Sequence, residues 1–370
     1  MPQLYYPEPD NWERKNPDSL KVNKNLLTKA IDYSKLHENK SSIKNMQMFT
    51  RTASATKEPH DELLGPVQER GELTGMIIKN GYIIAEWGDV NRVDMTFSVT
   101  KSFVSTTVGL AYDEGLISDL NDKVHKYMPG EHFNDQNNKL ITWDHLLRQV
   151  SEWKGNMWGK PDWADRPPVG LSFDELENQK YFKPGERYKY NDVRVNFLAL
   201  LSAHVWKESL PKVLKQKVMN PIGASDNWKW HGYKNSWINI GDQKIQSVSG
   251  GGHWGGGMFI NALDQARFGY LFLRNGMWND KRIISEDWIK KASSPGSVNK
   301  SYGFMNWFLN STEDGTDKKI KSAPSNAIYF SGLGSNIIYI DWEHDLVVVV
   351  RWIDSDYFSG FIDLILKSLK

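Results

Sequence analysis

The chain has 370 residues, 39% of them hydrophobic and 12% aromatic, enough to bury a sizeable core as one large domain or two intimate ones. Its 46 Lys and Arg nearly cancel 45 Asp and Glu, so it lacks the positive excess that non-specific phosphate binding requires, which argues against a nucleic-acid partner. The absence of cysteine excludes disulfides, thiolate nucleophiles and Cys-ligated metals.

The first fifteen residues have neither a basic n-region nor an apolar h-region, and no later stretch reaches the apolar length of a membrane span. As it stands the sequence reads as soluble and cytoplasmic, or as periplasmic or secreted if a signal peptide has been removed. Residues 1–24, rich in Pro, Asn and charge, are expected to lie extended over the surface, ahead of a first helix at Asn25–Leu36. Residues 37–71 are polar and irregular.

The first strong pattern is Thr74–Trp87, two β-rich runs joined by Asn80-Gly81, a pair that tolerates the positive φ angles of a type I′ turn and so predicts a hairpin. After Ser98 an apolar run, Val99, Phe103, Val108, Leu110 and Ala111, continues without a proline to Glu114-Gly115, which predicts a buried helix starting at or just before Ser98. From Leu120 to Ala292 the pattern is mainly helical, interrupted by Gly- and Trp-rich loops at 151–170 and 247–257. Strands are then expected at Ser301–Asn310, Ala327–Ser331, Asn336–Trp342 and Leu346–Ile353, and a final amphipathic helix at Phe358–Leu369.

Strands at both chain ends with helices between predict an α+β fold in which the ends share one antiparallel sheet. The expected division is an N-terminal extension with its helix (1–71), a sheet domain (72–119 and 293–370) and a mainly helical insertion (120–292).

A Ser and a Lys three residues apart on a helix share a face, so an unprotonated amine can take the hydroxyl proton as the Ser attacks a carbonyl. Six such tetrads occur, starting at Ser41, Ser54, Ser98, Ser151, Ser209 and Ser297, and of these Ser98 opens a long apolar helix. Free N–H groups and the positive end of the dipole there favour developing negative charge and lower the pKa of a nearby ammonium. A plain N-cap beside a solvated lysine would leave the same tetrad, so further motifs decide.

Those motifs are Thr96-Phe-Ser98-Val-Thr-Lys101-Ser102, then Pro184-Gly-Glu-Arg-Tyr-Lys-Tyr190-Asn-Asp192, then Gly255-Gly-Gly-Met258 ahead of Asp264-Gln-Ala-Arg267-Phe268. In order and spacing they resemble the serine β-lactamase and penicillin-binding-protein-like superfamily, including its class C-related esterases and amidases, from about Gly75 to the C-terminus. The resemblance implies Ser98 as nucleophile, with Lys101 and Tyr190 as general base and acid. It also implies an oxyanion hole from the backbone N–H groups of Ser98 and Leu333, which follows Phe330-Ser331-Gly332.

Two departures stand out. Asp192 occupies a position where the family usually carries Asn, so a carboxylate would hold Lys101 charged or bind substrate. Phe330-Ser331-Gly332 replaces the Lys-Thr-Gly or His-x-Gly strand, which removes the basic or imidazole side chain and weighs against β-lactam carboxylate recognition.

Trp153, Trp158 and Trp163 in one aromatic loop, and His253 and Trp254 in the Gly250–Gly257 loop, are expected to support the site or touch substrate. No nucleophile-elbow, zinc-binding, Walker A or dinucleotide-binding motif occurs, so neither a metal nor another cofactor is expected. The expectation is a serine hydrolase forming a Ser98 acyl-enzyme on a small ester or amide, with carbohydrate-linked esters among the candidates, and closer to an esterase or a 6-aminohexanoate-dimer hydrolase than to a true β-lactamase or peptidase. The alternative class is a non-catalytic relative that binds a ligand or acyl group.

Overall fold

The run Leu-Val-Val-Val-Val-Arg at Leu346–Arg351 is buried at every position, as a strand covered on both faces must be. A computed structural model describes residues 4–39, 58–128 and 130–369 and places this run inside a six-stranded antiparallel sheet. The strand order is Trp307–Phe308, Ile328–Gly332, Asn336–Asp341, Leu346–Arg351, Thr74–Lys79, Tyr82–Trp87.

The two chain ends meet where Thr74–Lys79 pairs with Leu346–Arg351, with Ile77 opposite Val348. Strand alternation then separates two cores. Ile77, Tyr339 and Val348 pack with Leu27 of the helix Lys24–Leu36 and with Phe361 and Ile365 of the helix Ser355–Ser368. Met76, Ile78, Val347 and Val349 face the larger core, which holds Phe103 of the helix Thr100–Asp113 and Phe268 of the helix Ala262–Leu273. The two rings stack with centroids 4.2 Å apart.

The expected α+β architecture, the terminal hairpin and sheet strands, and the first and last helices are therefore all present. Three expectations need correction. The stretch read as mainly helical contains a long hairpin, Lys229–Ile240 with Gln243–Val248, turning at Gly241 (φ 59°). Its Trp237-Ile-Asn-Ile240 alternation was the period-2 signal that the surrounding helices masked.

The strand expected over Ser301–Asn310 shrinks to Trp307–Phe308, because Met305 takes a positive φ (61°) and the Gly303 N–H bonds to the Asn306 carbonyl, which folds the rest into a turn. The N-terminal segment is anchored, not merely spread over the surface. Trp12 is buried with its Nε1 donating to the Gly81 carbonyl at 2.7 Å, and the Arg267 guanidinium donates to the Pro9 carbonyl at 2.9 Å. Ser41 and Ser54, which start two of the six tetrads, lie outside the described residues. Among those residues no helix is long and apolar enough to cross a membrane.

The helix Asp192–Trp206 is buried along most of its length and crosses Thr100–Asp113, where Ser202 and Thr107 hydroxyls lie 3.2 Å apart. This crossing sets Asp192, at the start of one helix, against Lys101, in the first turn of the other.

Candidate active site

Ser98 sits in a 3-10 turn, Phe97–Val99, that leads into Thr100–Asp113. The residue before it, Phe97, holds φ at 49°, a left-handed conformation that costs on the order of 1 kcal/mol for a residue with a Cβ. The Phe97 ring meets Trp352 edge-on at 6.3 Å within a small cluster that includes Met95 and Phe259. That packing holds the strained turn and leaves Ser98 partly exposed.

The Lys101 ammonium lies 2.8 Å from Ser98 Oγ and 3.3 Å from the Gly251 carbonyl, while the Ser98 hydroxyl is 3.2 Å from the same carbonyl. Gly251 has no room for a Cβ, which would run into the Asp192 carboxylate, so the glycine-rich loop approaches at backbone level. Asp192 Oδ1 is ion-paired with Lys101, and both side chains are 1% exposed.

Asp192 Oδ2 in turn meets Arg166 Nη1 at 2.7 Å and His253 Nδ1 at 3.3 Å. His253 Nε2 is 2.7 Å from Glu58 Oε2, and Arg166 Nη1 also pairs with Asp165. Three acids and three bases thus interlock beneath Ser98.

Burial alone would raise the Asp192 carboxyl, but Arg166, then Lys101 and His253, outweigh it and hold the group well below the ordinary carboxylate range. Burial would lower His253, yet its hydrogen bonds to Asp192 and Glu58 push it up to about 9. Asp165 is raised, chiefly by burial, against the opposing pull of Arg166.

Asn191 explains why the Tyr190-Asn-Asp192 segment is so placed. It is the N-cap of Asp192–Trp206, accepting from the Arg194 N–H at 3.0 Å and donating to the Asp162 carbonyl at 2.8 Å. Tyr190, one residue earlier, turns its ring toward the site, with Lys101 Nζ 4.5 Å and Arg166 Cζ 5.0 Å from its centroid.

A cleft of about 540 Å³ opens over Ser98 and Tyr190, walled by Trp307, Tyr329 and the backbone of 331–335. Gly332 lets that strand end close on Ser98, since a Cβ there would collide with the Thr96 carbonyl and stand 3.1 Å from the Ser98 nitrogen. Leu333 follows directly and lines the cleft. Its carbonyl accepts from Asn336 Nδ2 at 2.8 Å.

Ser98, Lys101, Tyr190, Asp192 and His253 therefore converge, with Leu333 at the cleft. Trp254 is buried behind His253, their rings 4.1 Å apart. Trp153 and Trp158 do not join them. Trp153 is buried and stacks on Phe197 at 4.4 Å, and Trp158 lines a separate pocket with Met157 and His204.

Sequence reasoning passed over Arg166, Asp165, Glu58 and the cleft wall of Trp307 and Tyr329. Asp165-Arg166 lay inside the aromatic 151–170 loop, where an adjacent acid and base were the available signal. Glu58, in an irregular stretch, gave none. Glu58, Asp165 and His253 bring ligand atoms within 4.8 Å of one another, but Arg166 and the His253–Glu58 hydrogen bond already occupy these groups, so a cation fits poorly.

Residues 89–353 match the family model described as Beta-lactamase. An uncharacterized protein of Alkalihalophilus pseudofirmus is 23% identical over 297 residues, which cover 74% of this chain and 81% of the relative. Among solved structures, EstCE1, described as a hydrolase with promiscuous acyltransferase activity, aligns with a TM-score of 0.57 at 14% identity, over 80% of this chain and 93% of that one. A Bacillus anthracis protein assigned as a 6-aminohexanoate-dimer hydrolase aligns with a TM-score of 0.55 at 16% identity, over 80% and 78% of the two chains. The family match spans the Ser98 turn, the Tyr190 segment and the closing sheet strands alike, and the chain belongs to the beta-lactamase family, within the serine β-lactamase and penicillin-binding-protein-like superfamily.

Proposed function

We propose that the protein is a serine hydrolase that cleaves a small ester or amide through an acyl-enzyme on Ser98. The observation that carries this reading is the 2.8 Å approach of Lys101 Nζ to Ser98 Oγ at the floor of a cleft that Tyr190 also lines.

Ser98 Oγ attacks the carbonyl carbon, its proton leaves by way of Lys101 and Tyr190, and the same pair returns a proton to the departing alcohol or amine. Water then repeats the sequence and frees the acid. The N–H groups of Ser98 and Leu333 stabilise the oxyanion in both steps. Because Lys101 is already ion-paired with Asp192, Tyr190 carries the larger share of the proton transfer, while Lys101 orients the hydroxyl and offsets developing charge.

The strand Phe330-Ser331-Gly332 supplies no cationic side chain, which favours an esterase or amidase over a true β-lactamase or peptidase. A carbohydrate-linked substrate loses the support of Trp153 and Trp158 and rests on Trp307 and Tyr329. A non-catalytic binding relative is the second reading, favoured by the Asp192–Lys101 ion pair and by the closeness of the Ser98 hydroxyl to the Gly251 carbonyl.

Incubation with p-nitrophenyl acetate and a fluorophosphonate probe, comparing the native protein with Ser98→Ala by product release and intact mass, separates these readings. Turnover and labelling lost together in Ser98→Ala support the hydrolase. A stable adduct without product supports the binding relative, and a Ser98→Ala protein that is labelled and turns over normally overturns both.

A further inference from the structure

Among the described residues that line the Ser98 cleft, Arg166 and Lys319 carry positive charge and none carries a negative one. The whole chain has a net charge of only +1, so two cations with no acid beside them in the lining are a feature of this wall and not of the chain at large.

The two cations are held differently. Arg166 is anchored through Nη1 by Asp165 and Asp192, which lie buried behind it, and 39% of its side chain remains exposed. The carboxylates thus fix the guanidinium without standing between it and the cleft. Lys319 has no ion pair among the described residues. Its ammonium stands 5.8 Å from the Trp307 ring centroid, and Glu313 is the acid that acts on it.

Trp307, tilted against Tyr190 at 5.7 Å, provides an apolar surface beside Lys319. A ligand lying along it would have its reacting carbonyl at Ser98 and a charged group within reach of a cation. A fixed guanidinium and an exposed ammonium both suit a carboxylate, and charge-assisted hydrogen bonds are about twice as strong as neutral ones.

We propose that the cleft selects esters or amides whose acyl or leaving group bears a carboxylate, with Lys319 and Arg166 as the residues that read it. This rests on the hydrolase reading for its kinetic form, though not for its binding form.

The test compares mono-p-nitrophenyl glutarate with neutral p-nitrophenyl butyrate in the native protein, Lys319→Glu and Arg166→Gln, with Lys244→Met on the distant hairpin as a control. The native protein should favour the glutarate ester in kcat/KM by about tenfold or more at low salt, and the preference should shrink as salt screens it. Lys319→Glu and Arg166→Gln should each reduce the ratio, and Lys244→Met should leave it unchanged. Lys319 is exposed, so its variant reports even if Arg166→Gln does not fold.

Equal kcat/KM for the two esters, or a preference that survives Lys319→Glu, overturns the proposal. Should no ester be turned over, calorimetry of monomethyl glutarate and methyl butyrate with Ser98→Ala replaces the rates. Selective glutarate binding abolished by Lys319→Glu then supports the proposal even as the hydrolase reading fails, and absence of such binding overturns it.

Discussion

Lys101 and Asp192 form a buried ion pair, and the same lysine ammonium lies 2.8 Å from the Ser98 hydroxyl. Two charges removed from water are costly unless the remaining valences are met, and here Arg166 and His253 meet those of the carboxylate. Asp192→Asn keeps the shape but leaves Lys101, Arg166 and His253 around a neutral amide. It should cost about 3–5 kcal/mol, the range seen when one partner of a buried pair is removed, read by denaturant unfolding. A loss below about 1 kcal/mol would mean that the network does not stabilise the fold.

The same network fixes the sign of the pH dependence. The folded Asp192 carboxyl lies well below its unfolded value near 3.9, so its contribution is present above about pH 4 and is lost as pH falls further. His253 runs the other way: burial opposes its charge, but Asp192 and Glu58 raise it to about 9. Its contribution is full below its unfolded value of about 6.5 and declines as pH rises through about 9. Melting temperature should therefore fall at both ends, and His253→Gln should remove the decline between about pH 6.5 and 9 while lowering the plateau.

Much of this site was legible because each part had a local cause. Ser98 was set apart from five other Ser-x-x-Lys tetrads by the apolar run that follows it, and that run is the buried helix Thr100–Asp113. Tyr190 and Asp192 were reached through a spacing that Asn191 realises as a helix cap. Glu58 was not legible, because an ion pair between loops distant in sequence leaves no periodicity, and Arg166 offered only its adjacency to Asp165. The tryptophans misled for a related reason: composition marks aromatic loops but not which rings turn inward, and Trp153 fills core while Trp307, in a stretch expected to be a strand, walls the cleft.

That exchange of roles separates two substitutions. Trp153 is buried against Phe197, so Trp153→Ala should cost about 3–5 kcal/mol of stability, seen as a lowered unfolding midpoint. Trp307→Ala should leave the midpoint nearly unchanged and raise KM roughly two- to tenfold, the worth of one aromatic contact. Steady-state kinetics and thermal melts on both variants check this, and a KM effect confined to Trp153→Ala would return the aromatic wall to the 151–170 loop.

Arg351 is buried and donates from Nη2 to the Met95 carbonyl at 3.1 Å and from Nε to Asn336 Oδ1 at 2.9 Å. Asn336 Nδ2 then donates to the Leu333 carbonyl. One guanidinium thereby ties the backbone three residues ahead of Ser98 to the peptide that follows the strand end, the two sides of the proposed oxyanion hole. Asn336→Asp keeps an acceptor for Arg351 but sets a carboxylate oxygen against the Leu333 carbonyl. Stability should hold, while kcat falls by about ten- to a hundredfold with KM little changed, somewhat less than the loss of a whole oxyanion donor. Asn336→Ala removes both bonds, so it should lose the same rate and also about 1–3 kcal/mol for the unpaired buried donor. A role confined to structure would give the reverse: rate loss in proportion to stability loss, and a nearly native Asn336→Asp enzyme.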